Sequence, residues 1–229
     1  MADYSDAFTG GAENASITGA NWASYRDTPG GFDQWIYVAG GESVRPAIDA
    51  NSLGVRWTGG AVGADQRSKI TLASAGVIGS ATFYVSVSAR CSGATTTAHC
   101  YQFTWTPSAW YISRVNNGTG TDLGFSISGA PSVIASGSTM EIVVTASGTT
   151  DTITGYYNGS SIGFRTYDHG GGTLASGTPG FEAYNSGAAG YGQIGAWEGG
   201  DYPAGGGGGG STELPPLTMP PMRSMGWRR

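Results

Sequence analysis

The sequence predicts an all-β protein, a two-sheet antiparallel β-sandwich that is followed by an extended C-terminal tail. Apolar and polar residues alternate at period 2, for example over 83–90 and 140–145, as in strands with one buried face. Asn-Gly and Ser-Gly dipeptides at 117–118, 158–159 and 147–148 separate such segments and are typical of tight turns. No segment sustains the i, i+3, i+4 apolar stripe of a helix. Many short strands with close turn signals indicate a sandwich or a barrel.

The same alternation recurs at 101–105, 152–157 and 161–165, so the pattern runs through most of the chain. Residues 1–204 are long enough for one domain, because all-β domains of roughly 200–250 residues occur as single units. We therefore predict that residues 1–204 form one sandwich domain.

The last part of the chain has a different composition. Six glycines at 205–210 predict a flexible hinge, and the prolines of 211–229 favour extended polyproline II structure. A terminus that only keeps the chain in solution would be poor in large apolar residues, so we favour a docking segment over a disordered end. The predicted docking residues are Leu214, Leu217, Met219, Met222, Arg223 and Trp227.

Composition and charge argue against several classes of protein. Charged residues are 12% of the chain, the net charge is −5 and the only lysine is Lys69, so no basic stripe is present to neutralise phosphates. We expect no nucleic-acid partner. The N-terminal residues lack the basic and apolar regions of a signal peptide, and no apolar run reaches membrane-spanning length. We expect synthesis in a cytoplasm and no membrane partner.

The two cysteines, Cys91 and Cys100, flank a polar loop at 92–99. If the flanking strands pair as a hairpin, the two side chains could face each other and form a disulfide. Two buried free thiols are the alternative, and the sequence favours neither.

Several stretches resemble the concanavalin A-like lectin/glucanase superfamily over residues 4–202. The stretches that carry the resemblance are 6–8, 21–22, 55–57, 65–72, 83–111, 136–144, 156–159, 176–181 and 194–198. The resemblance implies a jelly-roll sandwich in which the last strand lies beside the first, with Trp197 near Phe8. This superfamily includes lectins, glycosidases, peptidases, adhesion modules and virion proteins, so the fold by itself leaves the function open.

Catalytic and metal-binding patterns are weak. Retaining glycosidases need two carboxylates about 5–5.5 Å apart, and the chain has no Glu-x-Asp or Asp-x-Glu pair. Glu141 and Glu182, from separate strands, are the remaining candidates. His169 lies in a stretch that is predicted to be an exposed glycine-rich loop, and we interpret it as an ordinary loop histidine rather than as part of a catalytic triad. Without an Asp-x-Asp ligand run, calcium is unsupported. We predict no catalytic residues, metal or cofactor.

Aromatic side chains supply candidate contacts for sugars, because the apolar face of a sugar packs on a ring. Trp110–Tyr111 and Tyr156–Tyr157 are adjacent pairs. Successive strand residues point to opposite faces, so one ring of each pair should point outward. These outward rings are the predicted glycan or interface contacts.

Three functions fit the sequence. The first is a non-enzymatic virion structural protein, a bacteriophage capsid decoration or other surface accessory protein, whose tail binds a capsid or other virion protein. It would be located at the virion surface, and it is compatible with binding of host glycans. The alternative is a carbohydrate-binding module that recognises cell-surface or polysaccharide glycans. A glycoside hydrolase is the second alternative.

Overall fold

A computed structural model of the chain describes residues 2–9, 11, 16–17, 21–26, 35–38, 43–46, 51–74, 83–124, 126–185 and 193–202. The glycine hinge and the tail lie outside the described residues. The predicted docking residues are therefore among those that the structure does not describe, namely Leu214, Leu217, Met219, Met222, Arg223 and Trp227.

Within these ranges the regular structure is almost entirely strand, which confirms the predicted all-β class. The strands are β1 Asp3–Asp6, β2 Trp22–Arg26, β3 Trp35–Tyr37, β4 Val44–Pro46, β5 Asn51–Trp57, β6 Gln66–Ser74, β7 Phe83–Ser92, β8 His99–Trp105, β9 Trp110–Asn116, β10 Thr119–Asp122, β11 Thr139–Ser147, β12 Thr150–Tyr157, β13 Ser160–Asp168, β14 Thr178–Asn185 and β15 Gln193–Asp201. Two 3₁₀ helices cover Thr95–Thr97 and Thr173–Ala175. Of the helices described, none is long and apolar enough to cross a membrane.

The strands form two antiparallel sheets, which confirms the predicted sandwich. The eight-stranded sheet has the order β13-β12-β11-β6-β15-β4-β3, with β1 also paired to β15. The seven-stranded sheet has the order β10-β9-β8-β7-β14-β5-β2. The first and last strands pair as the resemblance implies, with Asp6 opposite Trp197. Phe8 and Trp197 both contact the ring of Trp22, at 5.8 and 4.8 Å between ring centroids.

The predicted Asn-Gly turns close two of the hairpins. Asn117 and Gly118 join β9 to β10 with φ of 49° and 72°, and Asn158 and Gly159 join β12 to β13 with φ of 49° and 77°. A two-residue turn with positive φ at both positions matches the twist of the flanking strands, and Asn-Gly is the pair that adopts it most readily. The local sequence therefore sets the register of both hairpins.

The core lies between the sheets and is rich in aromatic rings. The ring of Trp22 makes edge contacts with Trp57, Trp197 and Phe181, at centroid distances of 5.4, 4.8 and 5.1 Å. Such rings bury large apolar areas, and edge-on pairs add attraction beyond the area that they bury. This cluster joins β15 of the eight-stranded sheet to β2, β5 and β14 of the seven-stranded sheet.

A buried ion pair bridges the two sheets at one end of the sandwich. The register of β7 against β8 shifts between Ala89 and Ser92, and Arg90 has a φ of 54°. This bulge turns the Arg90 side chain into the interior, where its Nη1 donates to Oδ2 of Asp151 at 2.7 Å. Both side chains are fully buried. The Tyr101 hydroxyl donates to the same carboxylate oxygen, also at 2.7 Å, so the pair is part of a larger network.

His169 covers this network from the surface loop. Its Nε2 lies 3.6 Å from Oδ2 of Asp151, and the side chain is only 5% exposed. The predicted exposure of this loop therefore does not extend to the His169 side chain, which is buried against Asp151. The glycine-rich loop is exposed at Gly170 and Gly171, and it folds the imidazole back over the buried carboxylate.

Candidate functional site

The candidate site lies on the face of the seven-stranded sheet that points away from the other sheet. Successive strand residues point to opposite faces, so Phe103 of β8 enters the core while Gln102 and Thr104 point outward. On β9, Ile112 enters the core and Ser113 points outward in the same way. Gln102, Thr104 and Ser113 are nevertheless 4%, 9% and 7% exposed. They therefore form the floor of a recess rather than a flat surface.

Cross-strand pairing arranges this floor in rows. Thr104 lies opposite Tyr111, and Gln102 lies opposite Ser113, which in turn lies opposite Asp122 of β10. Directly opposed residues of an antiparallel pair have Cβ atoms about 4.5–5.5 Å apart. The three strands β8, β9 and β10 thus hold hydroxyl, amide, carboxylate and phenol groups side by side, at the spacing of neighbouring strands.

A buried carboxylate organises the other side of the recess. Glu182 is fully buried, and its Oε1 accepts hydrogen bonds from Nη1 of Arg26 and the hydroxyl of Tyr84, both at 2.8 Å. Its Oε2 accepts from Nε2 of Gln102 at 2.7 Å and from the hydroxyl of Tyr25 at 3.1 Å. Four donors on one carboxylate fix the positions of side chains from three other strands, β2, β7 and β8.

The same network changes the acidity of its members. The Glu182 carboxylate raises the pKa of the Arg26 guanidinium above its ordinary value, so that Arg26 stays charged. Burial is the main reason why the pKa of the Tyr25 hydroxyl is raised well above its usual range, and it keeps that hydroxyl neutral. Arg26 and Glu182 therefore form an ion pair with a neutral phenol beside it.

Above this floor is a cleft of about 300 Å³. One wall carries Tyr84, whose ring stacks on Tyr184 with 5.3 Å between centroids and an interplanar angle of 15°. Another carries the half-buried ring of Tyr111. The residues that line the cleft are Arg26, Tyr84, Gln102, Thr104, Tyr111, Ser113, Gly120 and Asp122.

The donor and acceptor set of the cleft suits a hydroxyl-rich ligand. Arg26 offers N–H donors, and Thr104 and Ser113 offer hydroxyls that both donate and accept. The amide nitrogen of Gln102 donates to Glu182 and Tyr25, so this residue offers its amide oxygen as an acceptor. Tyr111 adds an aromatic face for the apolar side of a ring-shaped ligand. Few precisely placed polar groups beside aromatic rings are the usual lining of a small-molecule site.

Comparison with known proteins bears on the fold. No protein-family model matches the chain, and no curated protein matches it. Among solved structures, the chain is similar to an endo-1,3-beta-glucanase from Streptomyces sioyaensis, with a TM-score of 0.53, 14% identity, and 87% of this chain and 96% of that chain covered. It is also similar to peanut lectin, with a TM-score of 0.45, 10% identity and coverage of 87% and 97%. A further similar structure is the CBM2 module of the evolved Dit of Lactobacillus casei BL23 phage J-1, with a TM-score of 0.44, 14% identity and coverage of 86% and 93%.

The fold is the concanavalin A-like sandwich. At these identities the likeness concerns the fold, and the function has to be argued from the site.

The concanavalin A-like sandwich places the four predicted contact residues in three different environments. Trp110 is 1% exposed and stacks on Phe103, with 5.1 Å between centroids. Tyr157 packs against Trp110 at 5.0 Å. Trp110 is thus a core residue and Tyr157 is a half-buried residue packed against the core, so these two are the inward-pointing rings of their pairs. Tyr111 lines the cleft, and Tyr156 lies on the outward face of the eight-stranded sheet, in register with Glu141.

The carboxylates weighed for hydrolysis are not brought together. Glu141 lies on the outward face of the eight-stranded sheet, 4.0 Å from Nη1 of Arg67, and its pKa is raised mainly by burial. Glu182 belongs to the outward face of the other sheet. The whole thickness of the sandwich separates the two faces, so this pair cannot flank one glycosidic bond.

Several residues of the site were missed at the level of sequence. The polar residues of β8 could have been found, because Gln102 and Thr104 alternate with buried aromatic residues. The sequence does not show that Arg26 and Glu182 belong to the site. These two residues are 156 positions apart and meet only because β14, β5 and β2 are neighbours in the sheet.

The two cysteines lie on the same outward face, beside the site. In the structure Cys91 and Cys100 are free thiols, both fully buried in a small cluster with Tyr25, Ala98 and Val115. Burial and a side-chain hydrogen bond with Cys100 raise the pKa of the Cys91 thiol well above its usual range. The thiolate, which is the reactive form, is therefore scarce at neutral pH.

This environment predicts slow alkylation of the folded protein. In the reduced chain at pH 8, we expect iodoacetamide to leave Cys91 and Cys100 unmodified for hours in buffer and to label both within minutes in 6 M guanidinium. The reason is that the reagent reaches the buried thiols only when the protein unfolds globally. Mass spectrometry of intact protein reads the number of added groups. Rapid labelling of the native protein would contradict the buried cluster.

No group of three or more His, Cys, Asp and Glu side chains that could hold a metal ion occurs among the residues that the structure describes.

Proposed function

We propose that the chain is a carbohydrate-binding protein and that glycans bind in the cleft on the outward face of the seven-stranded sheet. The observation that carries the proposal is the combination of the half-buried Tyr111 ring with the polar floor of Gln102, Thr104 and Ser113. A sugar ring can stack on the phenol while its hydroxyls exchange hydrogen bonds with the floor.

We further propose that binding is not followed by hydrolysis. The carboxylates on the described part of this face are Glu182 and Asp122. Glu182 accepts four hydrogen bonds and is fully buried, so it cannot approach an anomeric carbon without losing its partners. A retaining or inverting mechanism needs two carboxyl groups that both reach the scissile bond. Release of reducing sugar from a polysaccharide panel would overturn this part of the proposal.

Replacing Tyr111 with alanine tests the binding site. We expect the affinity for a glycan identified on an array to fall at least about tenfold, since truncating a central aromatic contact costs roughly 1.4 kcal/mol or more. Isothermal titration of wild type, Tyr111→Ala and Tyr111→Phe separates the ring from its hydroxyl.

Tyr156→Ala is the matched control, because Tyr156 is another half-buried tyrosine on the outward face of the other sheet. It should bind as wild type does. If Tyr156→Ala weakens binding and Tyr111→Ala does not, the glycan site lies on the eight-stranded sheet and the cleft is not the site.

We also propose that the protein is displayed on a bacteriophage virion, with its tail bound to a capsid or other virion protein and its sandwich outward. The support is in the sequence, where a glycine hinge at 205–210 leads to a Pro-rich segment with Leu, Met and Trp side chains that so short a peptide cannot bury. The two proposals are compatible, because a surface-displayed sandwich can bind host glycans.

Removing residues 205–229 tests the anchoring. We expect the full-length chain to co-sediment with virus particles from the native source and a chain ending at Ala204 to stay in the supernatant with its fold intact, as read by circular dichroism. Mass spectrometry of the pelleted material identifies the partner. Equal pelleting of the two forms, or pelleting of neither, would contradict a tail anchor.

A further inference from the structure

The charge distribution of the cleft indicates the class of glycan that it accepts. Resting on the proposed glycan-binding function, we propose that the cleft selects neutral and amino sugars and rejects sugars that carry carboxylates, with Asp122 as the residue that sets this preference. Three features support it: a neutralised arginine, an unpaired aspartate at the edge of the cleft, and the distance of other cations.

Arg26 is the only cation among the described residues that line the cleft, and it is already neutralised. Nη1 of Arg26 donates to Oε1 of Glu182 at 2.8 Å, and the Glu182 side chain has no exposed surface. A buried, hydrogen-bonded carboxylate is not easily displaced, because removing its partner would leave a buried charge unpaired. Arg26 therefore presents hydrogen-bond donors to a ligand but little net positive charge.

Asp122 carries the remaining charge of the cleft. It lies on the edge strand β10 opposite Ser113 and is exposed. No ion pair joins it to a cation among the described residues. Partial burial raises the pKa of the Asp122 carboxylate above its ordinary value, and no neighbouring charge contributes to that shift. Asp122 therefore faces the ligand without a counter-ion among the described residues.

Other cations on the described part of this face are too far away to compensate. Arg56 of β5 lies in the same cross-strand row as Asp122 of β10, but four strands, β14, β7, β8 and β9, lie between β5 and β10. Five strand spacings of about 4.8 Å put the two backbones roughly 24 Å apart. That separation exceeds the Debye length of about 8 Å at physiological ionic strength. Since Arg26 is paired with Glu182, Asp122 leaves the described lining of the cleft with a net negative charge.

A protonated amino group near Asp122 should gain affinity, and a uronate carboxylate should lose it. Single pairs of partly exposed charges are worth little, so we expect amino forms to bind about two- to tenfold more tightly than neutral forms, and uronic forms at least tenfold less tightly. Both differences should shrink as salt is raised, because exposed charges are screened.

The test is a glycan array at pH 6 that carries β-1,3- and β-1,4-linked hexasaccharides, each backbone in neutral, 2-amino and uronic form. We compare full-length wild type with Asp122→Asn and with Asp168→Asn, a control that removes one exposed carboxylate from β13 of the other sheet. Asp122→Asn should lose the preference for amino forms and bind uronic forms at least about threefold better, while Asp168→Asn should behave as wild type.

The outcomes distinguish a failure of the charge selection from a failure of glycan binding. If wild type binds uronic forms as well as neutral ones, or if Asp122→Asn has the same profile as wild type, the charge selection is wrong while glycan binding stands. If none of the hexasaccharides binds in its neutral, 2-amino or uronic form, the proposed binding of glycans with these backbones is wrong, and the charge selection is wrong with it.

Discussion

Replacing Asp151 with asparagine is expected to lower the free energy of unfolding by about 3–5 kcal/mol. Asp151 is fully buried, and its Oδ2 accepts from Arg90 and Tyr101. Asparagine has nearly the same shape but no charge, so the Arg90 guanidinium would remain buried in the interior without a counter-ion. Urea unfolding followed by tryptophan fluorescence measures the loss as a lower midpoint at an unchanged slope.

A double replacement distinguishes the charge from the packing. Arg90→Met with Asp151→Leu removes both charges and keeps apolar volume, and such exchanges of whole buried pairs are often neutral or stabilising. We expect the double variant to be more stable than Asp151→Asn alone. The bulge at Arg90 would keep its positive φ, which costs about 1–2 kcal/mol for a residue with a Cβ. If Asp151→Asn unfolds at the wild-type urea concentration, the ion pair does not hold the sheets together.

Replacing Glu182 with glutamine is expected to weaken stability and binding together. The carboxylate accepts from Arg26, Tyr25, Tyr84 and Gln102, and an amide cannot accept from all four donors. Leaving buried donors unsatisfied costs about 1–3 kcal/mol for each group, so we expect a total loss of about 2–4 kcal/mol. Arg26 and Gln102 would lose their fixed positions, and glycan affinity should fall more than tenfold in the fraction that remains folded.

Tyr84→Phe is the matched control for this prediction, because it removes one of the four donors and leaves the carboxylate in place. We expect a loss of about 1 kcal/mol and a small change in affinity. Urea unfolding and isothermal titration at 10 °C give both quantities for each variant. A Glu182→Gln protein with wild-type affinity would show that the network supports the sheet but not the ligand.

The sequence was most informative where structure depends on local periodicity. Alternation predicted β7, β8, β11, β12 and β13, and the Asn-Gly pairs predicted two hairpin turns that the structure confirms. These signals are reliable because backbone geometry turns every second side chain to the same face. The pairing of the first and last strands came from the family resemblance and could not be read from either strand alone.

Prediction failed where one residue departs from that periodicity or where distant strands meet. Arg90 follows the buried Ala89 and would point outward in a regular strand, but the bulge turns it inward. Glu182 and Arg26 belong to strands far apart in sequence, so their ion pair depends on the sheet order. Of the predicted aromatic contacts, alternation correctly separates Trp110 from Tyr111, but only the structure shows which of the two outward faces is recessed.

Hydrogen exchange with and without bound oligosaccharide tests the location of the glycan site most directly. The backbone amides of β8, β9 and β10 lie beneath or beside the cleft, and mass spectrometry of peptic peptides resolves them from β11, β12 and β13. We expect saturating glycan to slow exchange at 99–122 by at least about threefold and to leave 139–168 unchanged. Slowed exchange confined to 139–168 would place the ligand on the eight-stranded sheet and contradict the site proposed for this protein.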